Sequence, residues 1–108
     1  MSIGSEDIAY ALDLFSDIPN LTTRKMMGGL CIYTDGQIFA ILDHDAQIFL
    51  KASGEFADTM AQEGCRKFSM TNKNGKVQSM GYMTLPDPAL EDPELACNWA
   101  RSALAALK

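Results

Sequence analysis

Apolar positions in this chain change period from one segment to the next, and each change marks an element. Ile8, Leu12 and Phe15 recur at helical spacing, so residues 5–18 are expected to form a helix. Ser5 is its expected cap, Glu6 and Asp7 suit the positive end of its dipole, and Pro19 restricts Ile18 and ends it. After a polar connector over 20–23, the stretch 24–51 holds the densest apolar sequence of the protein. It is broken at Asp35-Gly36 and again at 43–46. Asp-Gly between β-favouring runs is a hairpin signal, because a type I′ turn takes positive φ at both central residues. With those two residues in the turn, Tyr33 faces Ile38, Ile32 faces Phe39, Cys31 faces Ala40 and Leu30 faces Ile41. The second turn returns the chain as QIFLK and completes a three-strand meander.

Gly28-Gly29 interrupts the start of the first strand, where a bulge or a close backbone approach accounts for it. A phosphate cradle is the competing idea, but the pair lacks P-loop spacing and a following helix. Beyond the meander, Ser53 is the expected cap of a second helix over 54–63, with Phe56 and Met60 as its buried stripe and Gly64 as its stop. Strands over 68–71 and 77–85 follow, joined through Asn72-Lys73-Asn74-Gly75. A two-residue turn at Asn74-Gly75 would set Lys73 against Lys76, which like charges disfavour; a four-residue loop relieves it. Asp87-Pro88 and Asp92-Pro93 each place a capping carboxylate before a proline suited to the first helical position. The first starts a single turn and the second a helix over 93–107. There Leu95, Trp99, Ala103 and Leu107 repeat every four residues beside Ala96, Ala100 and Leu104, a stripe wide enough to lie on a sheet. The expected fold is α+β: helix, three-strand antiparallel meander, helix, β-hairpin and C-terminal helix, with a five-stranded antiparallel sheet and the helices packed on it.

With 108 residues, 47% hydrophobic and 21% charged, the chain reads as one globular domain over 1–108, with no second, C-terminal domain. Its apolar runs fall short of the roughly 20 residues a membrane span needs. MSIGSEDIAY has no basic region followed by an apolar core, so no signal peptide is expected and the cytoplasm is the expected location.

Candidate chemistry is sparse. Cys31, Cys65 and Cys97 are odd in number and widely spaced, there is no CxxC, and His44 is the only histidine, so no zinc site assembles. Three reduced thiols fit a cytoplasmic chain. Cys65, beside Arg66 and Lys67, is the one candidate nucleophile, because neighbouring cations lower a thiol's pKa. His44 sits between Asp43 and Asp45, but neighbours on a turn do not converge on one substrate. Asp87, Glu91, Asp92 and Glu94 are read as caps and not as a cation site. Met27, Met60, Met70, Met80 and Met83 are read as adaptable core or interface filler. No catalytic, cofactor-binding or metal-binding residue is assigned.

The order RKMMGGLCIY, DGQIFAIL, IFLK, then GKVQSMGYMTLP and EDPELACNWARSALAAL resembles the amino-terminal domain of the TfoX/Sxy family. The resemblance covers nearly the whole chain, from about Leu12 onward. Where the family usually has Met-Phe-Gly-Gly, this chain has Met26, Met27, Gly28 and Gly29. Members are associated with regulating bacterial competence genes alongside the cyclic-AMP receptor protein, and full-length members carry a second, helical domain. The resemblance implies the α+β order already read from the residues, a regulatory or protein-interaction role without catalysis, and no site residues. A small-molecule-binding module, or a thiol-dependent enzyme using Cys65, is the alternative.

Partners follow from apolarity and charge. The meander is apolar on both sides, whereas a sheet with one wet face alternates, so a homodimer packed partly through the meander is expected. The formal charge is −5. Arg24 and Lys25 with Arg66, Lys67, Lys73 and Lys76 are the only basic groupings, read as solvated strand ends in preference to a compact anion patch. The purified chain is therefore expected not to bind duplex DNA at physiological salt, any transcriptional effect running through another protein. A mobility-shift titration checks this, and steep salt-dependent binding to arbitrary DNA would contradict it.

Overall fold

The computed structural model describes residues 4–26, 29–43, 45–52, 54–71 and 77–107. Ser53, His44 and the loop 72–76 lie outside them, and with them the cap, turn histidine and hairpin loop read from the sequence. Helix α1 spans Ser5–Leu14, β1 Leu21–Met26, β2 Gly29–Thr34, β3 Gln37–Leu42 and β4 Ile48–Lys51. Helix α2 spans Gly54–Gln62, β5 Lys67–Thr71, β6 Val77–Thr84, a 3-10 turn Asp87–Glu91 and α3 Pro93–Ala106. The α+β class and the order of helices and strands are those expected. The sheet has six antiparallel strands in the order β1-β2-β3-β4-β6-β5, one more than the five expected. The added strand is β1, where a polar connector up to residue 23 was expected. Leu21–Met26 pairs along its length with β2, from Leu21 opposite Thr34 to Met26 opposite Gly29. Threonine, arginine and lysine suit an edge strand, whose outward side must stay wet.

Asp35 (φ 50°) and Gly36 (φ 81°) form the expected turn, and Asn20 Nδ2 donates to Asp35 Oδ1 at 2.5 Å. Tyr33 opposes Ile38 as expected, but beyond it the register shifts by one residue. Ile32 opposes Ala40, Cys31 opposes Ile41 and Leu30 opposes Leu42. The expected pairs Ile32–Phe39, Cys31–Ala40 and Leu30–Ile41 are corrected by this bulge. Phe39 is the extra residue, and its fully buried ring meets Phe15 edge-on at 5.3 Å. At the second turn, Asp43 Oδ1 accepts the backbone N–H of Asp45 and of Gln47, each at 2.9 Å.

Gly29 owes its identity to a close approach: a Cβ there would run into the Leu42 carbonyl. Helix α1 ends at Leu14, short of the expected 18, because residues 15–18 turn tightly, with Ile18 N–H donating to Phe15 O at 2.9 Å. Its cap is Gly4, not Ser5: the Gly4 N–H donates to the Asp7 carboxylate at 2.9 Å. Helix α2 stops at Gly64 (φ 88°), as expected. Asp92 caps α3 by accepting from Glu94 N at 3.0 Å and Leu95 N at 3.3 Å, whereas Asp87 lies inside the 3-10 turn and caps nothing.

The buried side of α3 is Ala96, Cys97, Ala100 and Ala103, which keeps Ala96, Ala100 and Ala103 of the expected stripe and departs from it at Leu95. Leu95 is exposed, and Trp99 is half-buried against Phe56 of α2, with ring centroids 6.2 Å apart. Small residues let α3 settle close on β3 and β4. The core joins these positions to Leu30, Ile32, Phe39, Ala40, Leu42, Ile48, Leu50, Met60 and Met83. Gly29→Ala is expected to cost about 1–3 kcal/mol, because a backbone carbonyl cannot yield as a side chain can. Urea denaturation checks this, the expected result being a lower midpoint with unchanged slope.

Candidate functional site

All three helices share one side of the sheet. Cys97 of α3 donates its thiol to Leu14 O in α1 at 3.4 Å, Phe56 of α2 meets Trp99 of α3, and their buried residues join one core. The paired register assigns the strand residues to faces. Arg24, Cys31, Ile41, Phe49 and Thr84 stand opposite one another in a row across five strands. Thr22, Tyr33 and Ile38 form the neighbouring row, and Lys51 pairs with Tyr82. Strand alternation sends these side chains away from the helices. Cys31, Phe49 and Tyr82 are buried, yet none belongs to the helix-side core. Tyr33, Ile38, Ile41 and Lys51 are half-buried, and Arg24 is exposed.

This second face has its own order. The Lys51 ammonium lies 5.4 Å from the centroid of the Tyr82 ring. Burial pushes the Cys31 thiol pKa up, against the opposing effects of a hydrogen bond with Tyr33 and the charge of Arg24. Burial also raises the Tyr82 phenol, with Cys31 and Tyr33 adding to the shift. Two phenols and a thiol therefore gather at mid-sheet, with cations to either side. Periodicity had already shown the meander to be apolar on both sides. The bulge that exchanges Ala40 for Ile41 on this face had no signal in the sequence.

Cys65 behaves differently from its sequence neighbourhood. It is buried, and burial raises its pKa most; a Thr84 hydrogen bond opposes this, while Glu63 and Asp87 raise it further. The lowering expected from Arg66 and Lys67 does not occur, because burial raises the thiol most, and Glu63, just past α2, and Asp87 of the 3-10 turn add to the rise. Beside it, a cleft of about 360 Å³ is lined by Gln47, Glu63, Arg66, Thr84 and Asp87 among others, and Cys65 is not in its wall. The basic groupings also separate. Arg24 and Lys25 lie on β1 and Lys67 on β5, at opposite edges of a six-stranded sheet. They form no compact patch, since five strand spacings make about 24 Å. Lys73 and Lys76 are outside the described residues. Among the described residues, Met60 and Met83 are core, and Asp43 and Asp92 serve a turn and a cap.

The family model for the TfoX N-terminal domain matches residues 13–107. The chain belongs to this family. At the family level it is a competence-related regulatory domain, and the match takes in every strand, α2, α3 and both faces of the sheet. No curated protein matches the chain.

Cys31, Cys65 and Tyr82 each hold their proton more tightly in the folded TfoX N-terminal domain than free in water. The unfolded chain therefore loses these protons first as pH rises past the ordinary thiol value of about 8.5. Stability is expected to hold below that pH and to fall above it. Urea midpoints at pH 7, 8.5 and 10 check the sign, and a midpoint that rises with pH would contradict it.

Proposed function

We propose that this TfoX N-terminal domain is a non-catalytic interaction module that contributes to competence-type transcriptional regulation by docking another protein through the helix-free sheet face. The observation that carries the reading is the placement of Tyr33, Ile38 and Ile41, half-buried, on the side of the sheet away from all three helices. The helix layer covers one face of the sheet. Apolar residues retained on the other face are then available for association, which is what interaction surfaces supply. The thiol-enzyme alternative is weakened because burial and two carboxylates hold Cys65 in its protonated, poorly nucleophilic form.

The test compares two single substitutions in the native bacterial host from which the gene has been removed. A Cys65→Ala copy is expected to restore the transcript levels of DNA-uptake genes, and an Ile41→Ser copy is expected to fail. Circular dichroism melts confirm that both variants remain folded. Loss of restoration with folded Cys65→Ala would overturn the reading in favour of thiol chemistry.

A further inference from the structure

Charge in this acidic chain is segregated by element. All fourteen Asp and Glu residues lie outside the six strands, whereas the strands carry Arg24, Lys25, Lys51 and Lys67. Register places Arg24 and Lys51 on the helix-free face, with Cys31, Tyr33, Ile38, Ile41 and Phe49 between or beside them. Among the described carboxylates, Asp35 and Asp43 directly follow strands β2 and β3; Asp35 Oδ1 accepts from Asn20 Nδ2, and Asp43 Oδ1 accepts from two backbone N–H groups. The face is thus apolar and cationic on a protein whose formal charge is −5. Arg24 on β1 and Lys51 on β4 stand three strands apart, about 15 Å at ordinary sheet spacing. An α-helix with its side chains is about 10–12 Å across, so the strip between the two cations admits one helix.

We infer that this face docks an acidic amphipathic helix of a partner protein, its apolar stripe on Ile38 and Ile41 and its carboxylates toward Arg24 and Lys51. The inference rests on the interaction reading above and names the chemistry of the partner. Charge decides against a second copy packed face to face, since that would bring Arg24 and Lys51 of both chains together without carboxylates from either sheet. Burial disfavours single-stranded nucleic acid, which stacks successive bases on several rings, because among the described aromatic residues of this face only Tyr33 is half-buried. Phe49 and Tyr82, at 4% and 9% exposure, offer no free ring face for a base to stack on. The accessible groups are Tyr33, aliphatic side chains and cations, the complement of a helix with Leu or Ile on one stripe and Asp or Glu beside it.

The test pans a phage-displayed library of random 16-residue peptides against the full wild-type chain and against an Arg24→Glu/Lys51→Glu variant. The wild type is expected to enrich acidic peptides with apolar residues at i, i+3, i+4 and i+7, and the variant to enrich basic ones. The synthetic form of the leading wild-type peptide should bind at least tenfold more weakly to Ile41→Ser and to the charge-reversed variant, and more weakly as salt rises. Leu95→Ser, exposed on α3, should bind it unchanged. Peptides lost on Leu95→Ser but kept on Ile41→Ser would overturn this face while leaving a docking module in place. Failure of any peptide to enrich would overturn both readings. Neutral or basic peptides enriched by the wild type, competition by oligouridylate, or a dimeric mass at sedimentation equilibrium that Ile41→Ser reduces to one chain would each overturn the acidic partner.

Discussion

The bulge at Phe39 is the constraint on which the two sides of this protein depend. A strict two-residue hairpin would put Ala40 on the side of Cys31 and Ile41 on the side of Ile32. Inserting one extra residue reverses both placements while Phe39 stays in the core against Phe15. Ala40 then faces the small-residue side of α3, where Ala96, Ala100 and Ala103 leave room for close packing. Ile41 is sent to the helix-free face. One local irregularity therefore sets how closely the helix layer lies and which aliphatic residue the other face presents. Bulges that re-aim side chains in this way are structural devices.

Division of labour between the two faces follows from what each must exclude. The helix side is dry, because Leu30, Ile32, Leu50 and Met83 meet side chains of three helices. Its charges are pushed to the outside of the helices, where Glu6, Asp7, Glu55 and Glu94 also favour the helix N-termini. The other side carries aromatic and aliphatic residues with two cations and no strand carboxylate. Lys51 keeps its ammonium over the Tyr82 ring, an arrangement that accommodates a half-buried charge. Net charge averages these two surfaces together, and so an acidic pI conceals a cationic face.

Chain neighbours proved a poor guide to the electrostatics of single groups. Arg66 and Lys67 follow Cys65 directly, yet both side chains are exposed while the thiol is buried. Burial raises the thiol most, and Asp87 of the 3-10 turn reaches it through the fold, while Glu63 stands two residues before it in the chain. The same reasoning separates Arg24 and Lys25 from Lys67, groupings that look alike in sequence and lie at opposite sheet edges. Helix α3 teaches a related lesson about packing. Within the wide stripe expected from its sequence, the sheet buries the small residues Ala96, Ala100 and Ala103 and leaves Leu95 exposed, because close backbone approach buries more contact than a bulky row held at a distance.

What the sequence by itself determined is therefore the set of local structures and their order. Asp35-Gly36 chose its turn through φ, Gly64 and Asp92 marked helix ends through capping chemistry, and hydrophobic period separated helix from strand. These depend on a few adjacent residues and are legible wherever those residues occur. Tertiary structure decided the rest: the sixth strand, in which polar Leu21–Met26 gains ladder hydrogen bonds from β2; the bulge, which relieves packing between distant elements; and the choice of covered face. Each of these balances contacts between segments far apart in the chain, and no local pattern encodes such a balance. That is why both sides of the meander read alike as apolar, and why only the folded chain distinguishes the helix-covered core from the helix-free face.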